Sequence, residues 1–284
     1  MPRMPKSPSR LQRSIRAVLR LPQLFSFVFT TEIGAAYGLG VREKLALLRQ
    51  FRINNREVER GSTIVEHLEL AKGILAIPPE VEGAVVECGC YKGGVSVNLS
   101  LVCKAVGRRF LICDSFEGLP PVAEYDQVHV APHHTAEGIT GHYEEGEFSA
   151  GSIDVVKENL RRYGSLEVCD FLVGYFDESM ARLDTSVAMA FLDVDLIDSL
   201  RPCLVAIWPR LAIGCRVYVH EADDLDFVAT FFEREWWERE IGGAPPGCVG
   251  AGIGLPLGVL EGSGLGYAEK KARGLVAAPG PGAV

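Results

Sequence analysis

Short apolar runs alternate with amphipathic segments over most of the chain between residues 83 and 237. The apolar runs predict buried strands at residues 83–86, 109–113, 167–173, 187–192 and 215–219. The amphipathic segments predict helices at residues 155–163, 200–211 and 225–237. Regular alternation of strands and helices predicts an α/β domain built on a doubly wound, mostly parallel sheet.

The two ends of the chain depart from this alternation. Residues 1–60 have a mostly helical pattern and predict an N-terminal extension to a main domain of residues 61–272. Beyond a turn-rich connector, residues 248–257 and 264–270 predict two strands that pair as an antiparallel hairpin at the sheet edge. The proline- and glycine-rich end predicts a disordered tail over residues 273–284.

One long segment, residues 114–151, interrupts the alternation and is rich in proline, glycine, histidine and acids. Structureless segments of this length are uncommon in compact domains and are usually lids or binding loops. This segment carries four of the six histidines of the chain, namely His129, His133, His134 and His142. We therefore expect a lid whose histidines are candidates for acid–base chemistry.

The composition is that of an ordinary globular protein, with 48% hydrophobic and 23% charged residues. The net charge of −8 argues against a nucleic-acid partner, because such proteins neutralise phosphates with excess positive charge. The apolar run at residues 24–30 is too short to span a bilayer, and no other run is long enough. We therefore expect neither a nucleic-acid partner nor a transmembrane segment.

Residues 1–31 hold six basic residues and no acid. Their apolar residues have helical spacing, which fits a membrane-surface helix or a helix that packs on its own domain or on a second copy. We favour packing, and expect a homo-oligomer in which this basic arm contacts the acidic body of a partner subunit. The eight cysteines form no Cys-x-x-Cys pair and no secretory signal is present, which predicts a reduced, cytoplasmic protein.

A glycine-containing turn, residues 87–94, follows the first predicted strand and precedes a helix. Open α/β folds hold nucleotide-like ligands at such a turn. A P-loop is excluded, because Val95 and Ser96 follow the last glycine where that motif requires lysine and then serine or threonine. A dinucleotide site is disfavoured, because Cys90 and Tyr91 stand where its middle glycine is needed.

Two acids at the ends of neighbouring strands favour a ligand that carries a positive charge. Glu87 lies beside the glycine turn, and Asp114 ends the second predicted strand, where a carboxylate can accept both hydroxyls of a ribose. Together they fit S-adenosylmethionine, a nucleoside with an amino acid and a sulfonium. The structural alternatives are a turn cap at Glu87 and an exposed strand end at Asp114.

The sequence resembles the macrocin O-methyltransferase-like enzymes among the class I S-adenosylmethionine-dependent methyltransferases. The resemblance rests on blocks that occur in the order of the family, at residues 86–94, 114–120, 156–159, 174–176 and 192–196. Asp-Ser-Phe-Glu-Gly-Leu-Pro at 114–120 is the most specific of them. The resemblance implies a Rossmann-like sheet of seven strands whose last strand is antiparallel.

The resemblance also implies where the cofactor binds. Glu87 and Gly89 would line its methionine part, Asp114 would hold the ribose, and residues 115–116 and 175–176 would lie near the adenine. The predicted cofactor-binding set is Glu87, Gly89, Tyr91, Gly93, Asp114, Ser115, Phe116, Tyr175 and Phe176.

In the family, an aspartate after the fourth strand and a pair of acids after the fifth hold magnesium. Asp193 matches the first, but the pair falls at His220 and Glu221. The predicted metal set is therefore Asp193, His220 and Glu221. Magnesium prefers oxygen ligands, whereas a site with an imidazole also suits manganese, iron or zinc. The structural alternative is that Asp193 caps a helix and His220 is an ordinary pocket residue.

Methyl transfer to oxygen requires removal of a proton from the acceptor hydroxyl. We predict His142 as the base, with His220 second. The predicted function is an S-adenosylmethionine-dependent O-methyltransferase that acts on a small-molecule hydroxyl, such as that of a sugar or natural product. The alternatives are an NAD-dependent oxidoreductase and a non-catalytic S-adenosylmethionine-binding partner subunit.

Overall fold

A computed structural model describes residues 21–129, 134–135, 138–139, 143–257 and 263–272. The strands are β1 Ala84–Cys88, β2 Phe110–Asp114, β3 His134–Thr135, β4 Gly138–Ile139, β5 Cys169–Val173, β6 Val187–Leu192, β7 Arg216–Val219 and β8 Gly266–Glu269. The α-helices are α1 Leu21–Phe29, α2 Val41–Glu57, α3 Ile64–Leu75, α4 Ser96–Val106, α5 Glu124–His129, α6 Ile153–Tyr163, α7 Phe176–Ser179, α8 Ile197–Arg210, α9 Leu225–Ala229 and α10 Arg234–Glu240.

The main sheet has six strands in the order β5-β2-β1-β6-β7-β8. The first five are parallel, and β8 is antiparallel to β7. The central strands β1 and β6 are buried along their whole length, which explains the apolar runs at residues 84–86 and 187–192. This confirms the predicted α/β architecture and its antiparallel last strand.

The expected seventh strand is wrong for the part of the chain that the structure describes. Residues 248–257 contribute only an isolated bridge between Val249 and Tyr267, and β8 has no hairpin partner there. Gly250, Gly252 and Gly254 all have positive φ angles, of 95°, 81° and 65°. Three left-handed residues cannot continue an extended strand, so this glycine-rich segment forms turns.

The N-terminal helices pack on the sheet domain through a buried chain of polar side chains. Asn54 Nδ2 of α2 donates to Asn98 Oδ1 of α4 at 2.9 Å, and Asn98 Nδ2 lies 2.7 Å from Nδ1 of His67 in α3. Since Nδ1 accepts, the other nitrogen carries the proton and faces Ser62 Oγ at 2.8 Å. Burial lowers the pKa of His67 to about 3, so this histidine stays neutral and structural.

The lid predicted as structureless contains helix α5 and the two-residue ladder β3–β4. Asp126 of α5 is buried and accepts hydrogen bonds from the N–H groups of Ile197 and Asp198, at 2.8 and 3.2 Å. The lid is thus fastened to the first turn of α8, where a carboxylate satisfies exposed N–H groups. His133 and His142 lie outside the described residues.

No helix in the described part of the chain is long and apolar enough to cross a membrane. All eight cysteines are free thiols.

The turn after β1 is shaped by a close backbone contact at Gly89. Gly89 has a φ of 81°, and a Cβ added there would lie 1.8 Å from the carbonyl oxygen of Asp193. Any side chain at this position would therefore push the ends of β1 and β6 apart. Gly107, with a φ of 68°, has nothing within 4 Å of an added Cβ among the described residues and is a matched reference.

We expect Gly107→Ala to lower the free energy of unfolding by about 1–2 kcal/mol, the cost of a left-handed alanine. Gly89→Ala should lower the free energy of unfolding by several kcal/mol more, because it adds a clash with the Asp193 carbonyl to the cost of a left-handed alanine. Urea unfolding of both variants measures the difference. Equal losses would show that the strand ends can separate without strain.

Candidate functional site

A cavity of about 920 Å³ lies at the carboxyl ends of the parallel strands, between the strand-end loops, the lid and the start of α3. Ligands bind at this edge in open α/β sheets. Nine of the predicted site residues line it, namely Gly89, Tyr91, Asp114, Ser115, Tyr175, Phe176, Asp193, His220 and Glu221. Glu87, Gly93 and Phe116 are not among the lining residues, and His142 lies outside the described residues.

Asp114 fixes the shape of the glycine turn. Its two carboxylate oxygens accept hydrogen bonds from the N–H groups of Cys90 and Phe116, both at 2.6 Å. Burial raises the pKa of Asp114, and these N–H donors oppose that rise. A carboxylate has about four acceptor positions, so Asp114 keeps capacity for the hydroxyls of a ribose in the cavity.

Glu87 is placed differently from the prediction. Its side chain is fully buried, and its Oε2 accepts a hydrogen bond from Ser96 of α4. Its Oε1 has no partner among the described residues. Burial raises the pKa of Glu87 to about 8, with Ser96 opposing the rise. Because the side chain points from β1 toward α4, this placement does not support the predicted contact with the methionine part of a cofactor.

Gly93 and Phe116 lie outside the cavity lining and pack against neighbouring elements. Phe116 is buried with its ring centroid 6.3 Å from that of Phe171 on β5, and it has a φ of 62°. A Cβ added at Gly93 would approach Val156 of α6 at 3.1 Å. Both residues therefore hold the loops in place, and their predicted contacts with a cofactor stay predictions.

The predicted metal residues lie together at the ends of β6 and β7. Ligand atoms of Asp193, His220 and Glu221 are all within 4.8 Å of one another. The Nδ1 atom of His220 is 3.2 Å from Asp193 Oδ1 and 3.7 Å from Glu221 Oε1. Both carboxylate oxygens of Glu221 are buried without a hydrogen-bond partner in the described residues. Uncompensated buried carboxylate oxygens beside an imidazole fit a divalent cation.

Residues 61–239, more than half of the chain, match the family model described as Macrocin-O-methyltransferase (TylF). The chain belongs to the TylF family.

One curated protein and one solved structure are also similar to this chain. The 8-demethyl-8-(2,3-dimethoxy-alpha-L-rhamnosyl)-tetracenomycin-C 4'-O-methyltransferase of Streptomyces olivaceus is 32% identical over 146 residues, 50% of this chain and 53% of that protein. The chain thus spans about half the length of this curated relative. The structure of the O-methyltransferase NovP aligns with a TM-score of 0.56 at 20% identity, over 75% of this chain and 84% of that chain. This likeness supports a methyltransferase-like fold.

In this TylF-family chain, Glu66 is a site residue that sequence reasoning missed. Its Oε2 accepts from the N–H and Oγ1 of Thr63, at 2.6 and 2.8 Å, and its Oε1 accepts from the Gly264 N–H at 3.1 Å. Oε1 also lies 3.8 Å from His220 Nε2. Although burial raises its pKa, His220 and Thr63 lower it to about 2. The Thr63-x-x-Glu66 capping box was a signal for its helix position, not for its contact with His220.

His220 is poorly placed to serve as the base. Burial lowers its pKa, but Asp193, Glu221 and Glu66 together raise it well above its ordinary value. An imidazole that already holds its proton among three carboxylates cannot readily accept another, so it is a poor general base. The same proton must leave before a ring nitrogen can bind a metal ion, because only neutral imidazole is a ligand.

Asp195 and Tyr143 form a second pair that the sequence did not single out as catalytic. Asp195 has a φ of 60° and lines the cavity, and its pKa is raised to about 7 by burial and by Asp193. Burial raises the pKa of Tyr143, from the lid, and the nearby carboxylates of Asp195 and Glu221 raise it further. Non-glycine residues with left-handed backbone often occur at functional sites.

Aromatic rings connect the lid to the glycine turn. The Tyr143 and Phe148 rings meet edge to face at 6.1 Å, and Phe148 meets Tyr91 in the same way at 6.0 Å. Tyr91 in turn donates to Glu59 Oε1 at 2.8 Å. This row of rings forms an apolar wall of the cavity.

Glu87→Gln should change how stability depends on pH. A carboxyl with a folded pKa of about 8 and an ordinary unfolded pKa near 4.5 contributes stability below pH 4.5 that is lost as pH rises to 8. The neutral amide has no such loss. Between pH 4.5 and 8, the free energy of unfolding of the variant should therefore rise relative to that of the wild type, by at most about 1.4 kcal/mol per pH unit.

Thermal melts at pH 5 and pH 8 measure this change, with the exposed Glu82→Gln as control. If the stability difference between the variant and the wild type is the same at both pH values, Glu87 is ionised in the folded protein throughout this range.

Proposed function

We propose that the chain is an S-adenosylmethionine-dependent O-methyltransferase that acts on a hydroxyl of a sugar or other small natural product. One observation carries this proposal. A single cavity holds the glycine turn with Asp114 on one side and the cluster of Asp193, His220 and Glu221 on the other. The first side suits a nucleoside and the second a hydroxyl. Membership of the TylF family supports the same reaction class.

The name of the Streptomyces olivaceus relative supports a glycoside as acceptor. That protein is named for 4'-O-methylation of a rhamnosyl-tetracenomycin. The apolar wall of Tyr91, Tyr143 and Phe148 lines the same cavity as the carboxylates. A sugar ring presents an apolar face and hydroxyl edges, and this cavity offers a surface for each.

The residues present fit the proposed cofactor. Asp114 and the turn from Gly89 to Tyr91 would hold the nucleoside and amino-acid parts, and Tyr175 and Phe176 line the cavity where the adenine is expected. S-Adenosylmethionine, when bound, supplies a methyl group on a cationic sulfur. The chain itself must orient the acceptor hydroxyl, exclude water and remove a proton.

A divalent cation fits the cluster at Asp193, His220 and Glu221, and we include magnesium or manganese in the proposal. When bound, it lowers the pKa of a coordinated hydroxyl. Two groups can accept the proton. His142 stays our sequence-based prediction, and its neighbour Tyr143 lines the cavity. Asp195 is the second, because it lines the same cavity and has a pKa of about 7.

We also keep a cytoplasmic location and a homo-oligomer as proposals. The free thiols fit a reducing compartment. The first 57 residues carry 11 basic and 3 acidic residues, so the other 227 carry 18 basic and 34 acidic. This division of charge, +8 against −16, suits contact between the N-terminal part of one subunit and the acidic body of another.

We expect S-adenosylhomocysteine to bind the purified protein, and NAD not to bind, in isothermal titration calorimetry. Asp114→Ala should weaken that binding at least about tenfold, since it removes the ribose acceptor and releases the turn. Asp170→Ala, at an exposed acid of β5, is the matched control. Tight binding of NAD would support an oxidoreductase instead. Binding of S-adenosylhomocysteine without turnover on a broad glycoside panel would favour a non-catalytic subunit.

Loss of the base should lower the rate of methyl transfer by about 10²–10⁴-fold without a matching loss of S-adenosylhomocysteine binding. We expect this for His142→Ala if the lid supplies the base, and for Asp195→Asn if the strand end does. Single-turnover rates over pH 5–9 distinguish them, because the true base variant also loses the acid limb of the profile. Unchanged rates in both variants would exclude both groups.

A further inference from the structure

We propose that the cluster of Asp193, His220 and Glu221 selects a transition-metal ion such as Mn²⁺ or Co²⁺ over Mg²⁺, with His220 Nδ1 as a ligand. The inference rests on the proposed function, in which a divalent cation assists the methyl acceptor. It goes further by assigning the class of ion and the nitrogen that binds it. The resemblance alone implies an all-oxygen magnesium site.

The chemistry of the donors favours this class. Mg²⁺ prefers oxygen ligands in near-ideal octahedral geometry and gives up water reluctantly. Imidazole suits later divalent ions, whose affinity for a mixed nitrogen and oxygen site rises from Mn²⁺ to Co²⁺. His220 contributes the nitrogen, and Asp193 and Glu221 contribute carboxylate oxygens.

The distances identify the nitrogen that faces the cation site. Nδ1 of His220 lies 3.2 Å from Asp193 Oδ1 and 3.7 Å from Glu221 Oε1. Ligands about 2.1 Å from one ion are separated by about 3.0 Å in octahedral and 3.4 Å in tetrahedral geometry. Nδ1 therefore lies at about the separation from each carboxylate that a shared ion requires, and all three ligand atoms are within 4.8 Å of one another.

Glu66 lies beside the opposite nitrogen of the ring. Its Oε1 lies 3.8 Å from His220 Nε2, and its three hydrogen bonds to Thr63 and Gly264 fix the carboxylate in place. Carboxylates behind a ligating histidine orient the ring and strengthen its basicity toward the metal. Glu66 is thus a positioning residue, and the orphaned oxygens of Glu221 supply open acceptors on the other side.

The competing interpretation is that His220 replaces the ion, since a protonated imidazole could itself balance Asp193 and Glu66. The first interpretation expects the purified protein to bind a metal ion, and the second expects no binding. We would strip the purified protein with a chelator and titrate Mn²⁺ or Mg²⁺ alone by calorimetry. We expect Mn²⁺ to bind at least tenfold more tightly than Mg²⁺.

Spectroscopy tests the nitrogen ligand without reference to activity. Mn²⁺ bound to the wild type should show nitrogen hyperfine coupling in pulsed electron paramagnetic resonance, and the coupling should change on ¹⁵N-histidine labelling. His220→Asp should abolish that coupling and reduce the preference for Mn²⁺ at least tenfold, because it restores an all-oxygen set. Asp223→Asn, at an exposed acid of the same cavity, should keep both the coupling and the preference.

Three results would overturn the proposal: equal affinities for Mn²⁺ and Mg²⁺, an unchanged preference in His220→Asp, or no binding of either ion. Thermal melts on the same samples show whether each protein is folded. S-Adenosylhomocysteine binding shows whether the proposed cofactor site is intact. If S-adenosylhomocysteine binds to a folded protein that takes up no ion, ion selection fails while the methyltransferase proposal stands. If the folded wild type binds Mn²⁺ but not S-adenosylhomocysteine, the proposed function fails instead.

Discussion

The close contact between Gly89 and the carbonyl of Asp193 is the constraint on which the rest of the site depends. Gly89 directly follows β1 and opens the glycine turn, whereas Asp193 directly follows β6 and begins the cluster with His220 and Glu221. The Asp193 N–H also donates to the Cys88 carbonyl at 2.9 Å, which ties the two strand ends together. The glycine turn and the cluster of Asp193, His220 and Glu221 are thus joined by one backbone contact that only glycine permits. Proximity of this kind is what a group-transfer reaction requires.

The helices before the sheet are part of this arrangement. Glu66 comes from the first turn of α3 and reaches His220 at the end of β7. Glu59, just before α3, accepts from Tyr91 and Lys92 in the cofactor turn, at 2.8 and 2.6 Å. The buried polar chain from Asn54 to His67 holds these helices in register. Buried polar networks favour one arrangement of the elements they join, so the N-terminal helices help to determine the shape of the cavity.

Much of this fold could be predicted from the sequence, for identifiable reasons. Buried parallel strands give mostly apolar runs. A polar residue at the end of β2 and directly after β6 revealed Asp114 and Asp193. The orientation of Glu87 could not be predicted, because it depends on which face of β1 packs against α4. Glu66 and Tyr143 come from distant segments, and their contacts with His220 and Asp195 exist only after folding. The false strand at residues 248–257 had suitable apolar residues, but its glycines adopt left-handed backbone.

The balance of charge in the cavity links these observations. Eight carboxylates line it, from Glu66, Asp114, Glu147, Asp193, Asp195, Glu221, Asp223 and Asp224, against the positive side chains of Arg60 and His220. Like charges gathered in a partly buried space repel one another unless cations join them. Burial and mutual repulsion raise the pKa values of Asp195 and Glu221, to about 7 and 8. An excess of carboxylates is costly for an empty cavity, but it favours both a sulfonium cofactor and a divalent ion. The same excess opposes acceptors that carry phosphate, which agrees with the proposal of a sugar hydroxyl as acceptor.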